Sequence, residues 1–341
     1  MYALYCALDI ARNDSRAAWS DRDGNIVRER KVMMTRDALI DTFAGDAGRT
    51  LLGCEATGKA FWIHDVLSPL GIELRIAPPN RLKVIYETCY KTDKIDARKM
   101  ASLLAKDLFP TVWVPPAHLR DLREMTRLRA QMVRARSQWA CRHHALLSRW
   151  GVNSPNHGGD VVKDLDLVDA LGAGTRIAGR EILRFIGDLN DRIRLLDRRA
   201  RMEIRKFPDF QRQIHLLMTI PGVGVLTATV LVLEIGRIDR FPSHKHFAHF
   251  CRLTPGVNST AGRRKDLHLA KDSRADLGCL MVEAAWTARR VDPYFVGQYQ
   301  RRVALGIKPR RAIVPVARSL SHAIYRVWKS QTPYQELFHL N

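Results

Sequence analysis

Residues 50–58, TLLGCEATG, run apolar from Leu51 to Cys54 and then stop on an acid. The run has the length and composition of a buried strand, and Ala56-Thr57-Gly58 turns it into a helix carrying Phe61, Trp62, Val66 and Leu67. Glu55 therefore ends a central strand. Residues 2–10, YALYCALDI, repeat the pattern: an apolar strand ending on Asp9, where an acid is unexpected unless it faces a site. RAAWSD (16–21) and GNIVRERKVM (24–33) read as two more strands, with Asp21-Arg22-Asp23-Gly24 as the hairpin turn. A short helix over 36–45, a strand IELRIA over 72–77 stopped by Pro78 and Pro79, and a helix from near Thr92 complete the segment. A hairpin meander followed by alternating strand and helix gives a mixed α/β sheet.

That last helix opens KTDKIDARKM (91–100), with Asp93 and Asp96 three residues apart. At this spacing they share a helix face, roughly 5–6 Å apart at Cβ. Taken alone, the pattern fits a solvated helix start, with Thr92 as N-cap and acids in the first turn beside Lys91, Lys94, Arg98 and Lys99. The strand-end acids change the balance. In an RNase H-like sheet the first and fourth strands lie side by side, so Asp9 and Glu55 converge with the helical pair. Four carboxylates in one pocket require metal, and two magnesium ions about 3.5–4 Å apart would make them a device for phosphoryl transfer.

The 341-residue chain has a formal net charge of +21 and a pI near 10.2, an excess that draws polyanions. The charge is unevenly placed: residues 1–116 carry a net +2 and residues 117–341 a net +19. The first part is expected to do chemistry and the second to grip nucleic acid. From 117 to 150, Leu119, Leu122, Met125, Leu128 and Met132 recur at helical spacing among eight arginines, of which Arg127 and Arg134 are candidate phosphate contacts. A Gly/Asn/Pro-rich break (151–159) leads to a second long helix over 176–206, with Ile182, Phe185, Leu189, Ile193 and Leu196 on one stripe. The two suggest an antiparallel helical arm or a dimerising coiled coil. Residues 215–236 place Pro221-Gly222-Val223-Gly224 between two apolar helices, a helix-hairpin-helix pattern whose Gly222 and Gly224 let backbone approach a phosphate. Residues 243–329 read as helical, interrupted at 252–266 by a polar loop that ends in Arg263, Arg264 and Lys265.

The runs LDIAR, GCEATG and KTDKIDARKMA, followed by IPGVGVLTATVLVLEIGRIDRF and FCRLTPGVNSTAGRRKD, resemble the insertion-sequence 110-type DEDD transposases from about residue 3 to 329. The resemblance implies a RuvC-like domain over 1–116, a helical coiled-coil arm over 117–206, and a mostly helical transposase domain with the helix-hairpin-helix over 207–341. The family's four metal-binding acids fall on Asp9, Glu55, Asp93 and Asp96. Its serine nucleophile stands at the fifth residue beyond the proline of L-T-P, followed by glycine. Here that position is Thr260, preceded by Ser259 and followed by Ala261-Gly262. Either hydroxyl can attack phosphorus, the serine being less hindered, and the departure leaves a catalytically impaired copy open. Arg263, Arg264 and Lys265 beside them suit a phosphorane.

The implied activity is DNA transposition by Mg²⁺-assisted strand exchange through a covalent phosphoserine intermediate, with Mn²⁺ as a substitute metal. The implied partners are donor and target duplex DNA, a structured guide RNA from the element, and further copies in a dimer or tetramer. The rival readings are a RuvC-like junction endonuclease, in which water attacks, and a decayed copy that only binds nucleic acid. Six scattered cysteines without a C-x-x-C pair, no signal-peptide pattern and no apolar run of membrane length point to a cytoplasmic, nucleoid-associated protein without membrane contact. His143–His144 are expected to meet phosphate or solvent, the spacing of His244, His246 and His249 argues against a shared ligand role, and Trp286 and Trp328 are expected in the core.

Overall fold

The computed structural model describes residues 2–85, 93–260, 263–269 and 274–338, with the side chains of 83–85, 93–95, 255–260 and 263–269 outside that description. The expected Thr92 N-cap falls outside it as well. The chain divides into two compact units, Met1–Ala117 and His118–Asn341.

The first unit begins with three antiparallel strands, β1 (Leu4–Asp9), β2 (Asp14–Ser20) and β3 (Ile26–Met33). The β2–β3 turn is made by Asp21, whose carboxylate accepts the Asn25 N–H at 2.8 Å, and by Gly24 at φ +89°. Helix α1 (Arg36–Phe43) starts on Thr35, whose hydroxyl caps the Ala38 N–H at 3.3 Å. Then follow β4 (Thr50–Glu55), α2 (Ala60–Leu67), β5 (Glu73–Ala77), α3 (Pro79–Ile85) and α4 (Asp93–Ala105). The sheet order is β3-β2-β1-β4-β5, with β4 parallel to both β1 and β5. Pro79 does more than stop a strand, because it is the first residue of α3, where its fixed φ and missing N–H suit a helix start.

Both faces of the sheet are covered, which is why its central strands are apolar throughout rather than alternating. Cys6, Leu8, Leu52, Cys54 and Ile76 pack with Leu39 and Phe43 of α1 and Ile63, Val66 and Leu67 of α2. Tyr5, Ala7, Leu51 and Ala77 pack on the other face with Met100, Ala101 and Leu104 of α4. Trp19 is fully buried, and its Nε1–H donates to Asp46 Oδ2 at 2.7 Å. Arg28 reaches the same oxygen at 2.9 Å and lies 3.8 Å over the indole ring.

The second unit is mostly helical. Helices α5 (Ala117–Ser148) and α7 (Ala173–Ile204) each span 32 residues. They run antiparallel, as the contacts Arg129–Asp197, Arg136–Asn190 and Trp139–Phe185 show. Between them lies α6 (Leu165–Asp169). Leu119, Leu122, Leu189 and Ile193 are buried as their spacing predicts, Met125, Met132, Ile182 and Leu196 are half-buried, and Leu128 and Phe185 stay exposed; Leu183 and Ile186, outside the expected stripe, are buried instead. His143 departs from expectation. It is fully buried, with Nε2 2.8 Å from Asp164 Oδ2, so it meets a carboxylate rather than phosphate or solvent.

Helices α8 (Pro208–Met218) and α9 (Val225–Ile235) flank the glycine turn, and α10 (His244–Phe250) follows. Residues 252–266 were expected as a loop, but the segment holds an antiparallel ribbon, β6 (Pro255–Thr260) with β7 (Arg263–Leu269). Its mostly polar residues carry no strand signal in the sequence, which is why the ribbon is not foreseen. Helices α11 (Ala275–Val291), α12 (Pro293–Ala304), α13 (Pro309–Ser330) and α14 (Tyr334–Phe338) complete the unit. Trp328 is buried in it, while Trp286 is half-buried with Tyr299 at its edge. Among the described residues no helix is long and apolar enough to cross a membrane.

Candidate active site

Strands β1 and β4 are neighbours in parallel register, with Leu8 beside Cys54. Asp9 and Glu55 are the next residues on each, so their Cα atoms are about 5 Å apart, the spacing of paired strands. Side chains alternate along a strand. Asp9 thus shares the face of Tyr5 and Ala7, and Glu55 that of Leu51 and Gly53. This is the face that α4 covers: a Cβ on Gly53 would come within 2.5 Å of Leu104 Cδ1. The opposite register, with the strand-end acids turned away from α4, is excluded.

Helix α4 crosses that face antiparallel to β1. Ser20, which pairs with Tyr5, donates its hydroxyl to Ala101 O at 3.3 Å. Arg98 Nη2 meets Glu29 at 2.8 Å, and Glu29 is level, through Ala18, with Ala7. From Arg98 back to Asp93 the helix advances about 7.5 Å. From Ala7 on to Asp9 the strand advances about 6.6 Å. The start of α4 is therefore level with Asp9 and Glu55. Ala97, Met100, Ala101 and Leu104 form its buried stripe, and Asp93 holds the register position one turn before Ala97. Asp96 sits at the edge of that stripe, half-buried like Asp9 and Glu55.

The four acids are thus carried to one end of one face. Among the described residues, no three His, Cys, Asp or Glu side chains are gathered closely enough to hold a metal ion. The donor chemistry suits a hard divalent ion. Carboxylate oxygens are its preferred ligands, and Cys54 is no competing thiolate: burial, then the Glu55 charge, pushes its thiol up to about 12. Thr57 adds a second sign. Its N–H donates to Glu55 O at 2.8 Å, and its Oγ1 is buried without a hydrogen-bond partner. Lys59 closes the turn by donating from Nζ to Arg12 O. Thr57 lies within the GCEATG run and Lys59 directly follows it, but no spacing or charge pattern in the sequence marks either as part of a site.

In the second unit, Ser259 is paired with Arg264, Thr260 with Arg263, and Asn258 with Lys265. The ribbon pairs each candidate residue with a basic residue in backbone register, while Ala261 and Gly262 lie outside the described residues. The two glycines of the α8–α9 turn differ. Gly222 has φ +84°, and a Cβ there would stand 2.4 Å from Ala284 O, so packing against α11 demands it. Gly224 meets nothing within 4 Å and caps α9 with an ordinary φ of −82°. Neither strain nor packing within the chain requires it. Arg134 is exposed, whereas Arg127 holds Glu234 through Nε at 2.8 Å and Nη2 at 3.0 Å. Glu234, an acid in the otherwise apolar α9, is the residue that could have been noticed in the sequence and was not.

Comparison with known proteins follows this layout. Residues 6–151 match the insertion-sequence 110-type DEDD transposase domain, and residues 214–300 match the Transposase IS116/IS110/IS902 family. The chain belongs to this transposase family. It is similar to a probable family 20 transposase of Pseudomonas aeruginosa, 25% identical over 284 residues and 82% of each chain. The transposase for insertion sequence element IS1328 of Yersinia enterocolitica is 23% identical over 82% of this chain and 81% of its own. That for element IS1111A of Coxiella burnetii is 23% identical over 82% of this chain and 76% of its own. The protein is thus a DNA transposase, an enzyme of phosphoryl transfer whose DEDD domain points to dependence on a divalent metal.

Proposed function

We propose that this insertion-sequence transposase exchanges DNA strands by attack of a side-chain hydroxyl on phosphorus, assisted by divalent metal, Mg²⁺ by preference, in a RuvC-like carboxylate pocket. Asp9, Glu55, Asp93 and Asp96 would hold the metal, with Thr57 beside them. The observation that carries the reading is that Asp9 and Glu55 are neighbours in register on the face whose covering helix opens with Asp93 and Asp96. Bound there, the metal supplies Lewis-acid stabilisation of a phosphodiester in displacement.

The residues of the chain do the remainder. The Oγ of Ser259, or failing it Thr260, forms a bond to phosphorus and expels a deoxyribose oxygen, and its proton passes to solvent or a carboxylate. Arg263, Arg264 and Lys265 balance the charge that grows on the phosphoryl oxygens. The ester conserves the bond energy of the broken phosphodiester, so no nucleotide cofactor is needed. Successive strand residues face opposite sides, so only one of the two hydroxyls reaches a given phosphorus.

The α8–α9 turn acts as a helix-hairpin-helix phosphate contact at Gly224, and Arg134 contributes to a sequence-neutral grip on the backbone. Choice of target falls to an element-encoded guide RNA, and exchange of two duplexes calls for a dimer or tetramer. These last assignments follow from the family resemblance and from the +19 of residues 117–341.

The test is a nicked suicide substrate carrying donor and target sequence. A covalent protein–DNA adduct, lost in Ser259→Ala or in Thr260→Ala but not in both single variants, supports hydroxyl attack and names the nucleophile. Metal-dependent cleavage without adduct would make the protein a RuvC-like endonuclease instead.

A further inference from the structure

The β6–β7 ribbon is inserted in the chain of the second unit between Thr254 and Arg274, and the described residues on either side of it, its feet, are held by neighbouring helices. At the incoming foot α10 ends in a left-handed residue, Arg252 at φ +56°, a conformation unfavourable outside glycine. The Arg252 N–H returns to His249 O and the Leu253 N–H to Ala248 O, each at 2.9 Å. This turn rests on α11 at Gly278, where a Cβ would stand 3.1 Å from Cys251 O and 3.3 Å from Arg252 Cβ. At the outgoing foot the Arg274 N–H donates to Phe250 O at 3.2 Å, which ties the two feet together. The Arg274 guanidinium donates to Glu234 Oε2 at 2.9 Å and to both oxygens of Asp276, at 3.0 and 2.6 Å.

Glu234 is 2% exposed and stands at the end of α9. Besides Arg274 it holds Arg127, and Arg123 lies 3.8 Å away. Arg123 also donates to the carbonyls of Leu233 and Glu234, at 2.7 and 2.8 Å. A buried carboxylate with three guanidiniums is a poor device for stability alone, since apolar replacements of such clusters are often neutral or better. Its distinctive property is direction. The planar fork of Arg274 is held from two sides by Glu234 and Asp276, and this fixes the angle at which the chain joins α11. From Pro255 to Ser259 the strand is a lever about 13 Å long. An error of about 5° at its foot moves the hydroxyl by about 1 Å, enough to cost on the order of 100-fold in rate.

We propose that Glu234 and Arg274 are positioning residues that aim the β6–β7 ribbon, acting through the backbone of its feet rather than by touching DNA. The inference rests on the reading of the ribbon as bearer of the nucleophile.

Arg274→Met tests it in the full-length protein, with Arg274→Lys as the conservative variant and Arg129→Met as a control. Arg129 forms a comparable ion pair with Asp197 at 2.6 Å, between α5 and α7. Three quantities are read: the thermal midpoint, the rate of adduct formation with the nicked substrate, and amide hydrogen exchange over 255–269. The expected result for Arg274→Met is faster exchange over 255–269 and an adduct rate lower by about 100-fold at unchanged DNA affinity. Arg274→Lys should recover part of that rate. Arg129→Met should show neither effect at a similar loss in thermal midpoint. Unchanged exchange over 255–269 in Arg274→Met, or adduct rates in the two Met variants that fall only in step with thermal midpoint, would overturn the proposal. Absence of any adduct in the wild type would refute the nucleophile reading instead. The exchange comparison would then decide the clamp independently.

Discussion

Glu55 and Asp9 have their place because an apolar strand was interrupted by an acid at its last residue, and parallel pairing of β1 with β4 brings the two interruptions together. Glu55→Gln and Asp96→Asn should therefore lower metal-dependent strand exchange by at least about 100-fold in a joining assay. Their thermal midpoints should be unchanged or raised, since each removes a charge from a group of like charges. Thr57→Val, which replaces the orphaned hydroxyl by a methyl of similar shape, should leave the midpoint within a degree or two and weaken divalent-metal binding by titration calorimetry.

Glu234 behaves in the opposite way. Burial alone would raise its carboxyl, but hydrogen bonds from Arg127 and Arg274 outweigh burial and hold it below the usual carboxylate range. A depressed folded pKa gives stability that is present above the unfolded value, about 4.3, and lost as pH falls through the folded one. The wild type should exceed Glu234→Gln in thermal midpoint at pH 7, and the gap should narrow as the pH falls below about 4.3. A gap independent of pH would show that the carboxylate is not ionised in the fold.

At the level of elements, α4 is placed by small residues beneath it. Gly53→Ala would drive a Cβ to 2.5 Å from Leu104. It should lift α4 from the sheet and cost both stability and metal affinity. The α8–α9 turn separates packing from function within one motif. Gly222→Ala should destabilise by about 2 kcal/mol or more, through positive φ and collision with α11. Gly224→Ala should melt like the wild type, yet bind DNA more weakly if a phosphate approaches that backbone. Equal DNA affinity would reduce the turn to a packing corner.

Most of these elements were legible in the sequence. The strand β4 was read to the residue, because apolar continuity and a terminal acid mark both its ends. The long helices were read from their periodicity. The β6–β7 ribbon was not, since PGVNST and RRKDLHL are mostly polar and carry no apolar run. His143 was misread for the converse reason: a histidine on an arginine-rich helix gives no sign that Asp164, 21 residues on, will fold over it.

For the molecule as a whole, the charge is concentrated in the second unit, net +19 over residues 117–341 against +2 over 1–116, so binding to nucleic acid through phosphates is expected to fall mainly there. Binding through phosphates alone releases counterions. With about six contacts, affinity for unrelated duplexes should fall about 1,000-fold between 50 and 200 mM salt. A shallow dependence measured by fluorescence anisotropy would assign the positive charge to another role. That Asp9 and Glu55 end neighbouring strands is expected from an RNase H-like strand order, but the register that turns both to the α4 face is not. Alternation fixes the face of each acid only once the opposite residues, Leu8 and Cys54, are known to pack beneath α1 and α2.

The claim on which the rest depends is that acids distant in the chain share one metal. Ferrous iron substituted for the native ion, with ascorbate and peroxide, cuts the backbone near wherever it is bound. The account predicts cleavage at three places together, close to Asp9, Glu55 and Asp93–Asp96, suppressed by excess Mg²⁺ and abolished in Asp9→Asn. Cleavage confined to one of these segments, or persisting unchanged in Asp9→Asn, would contradict it.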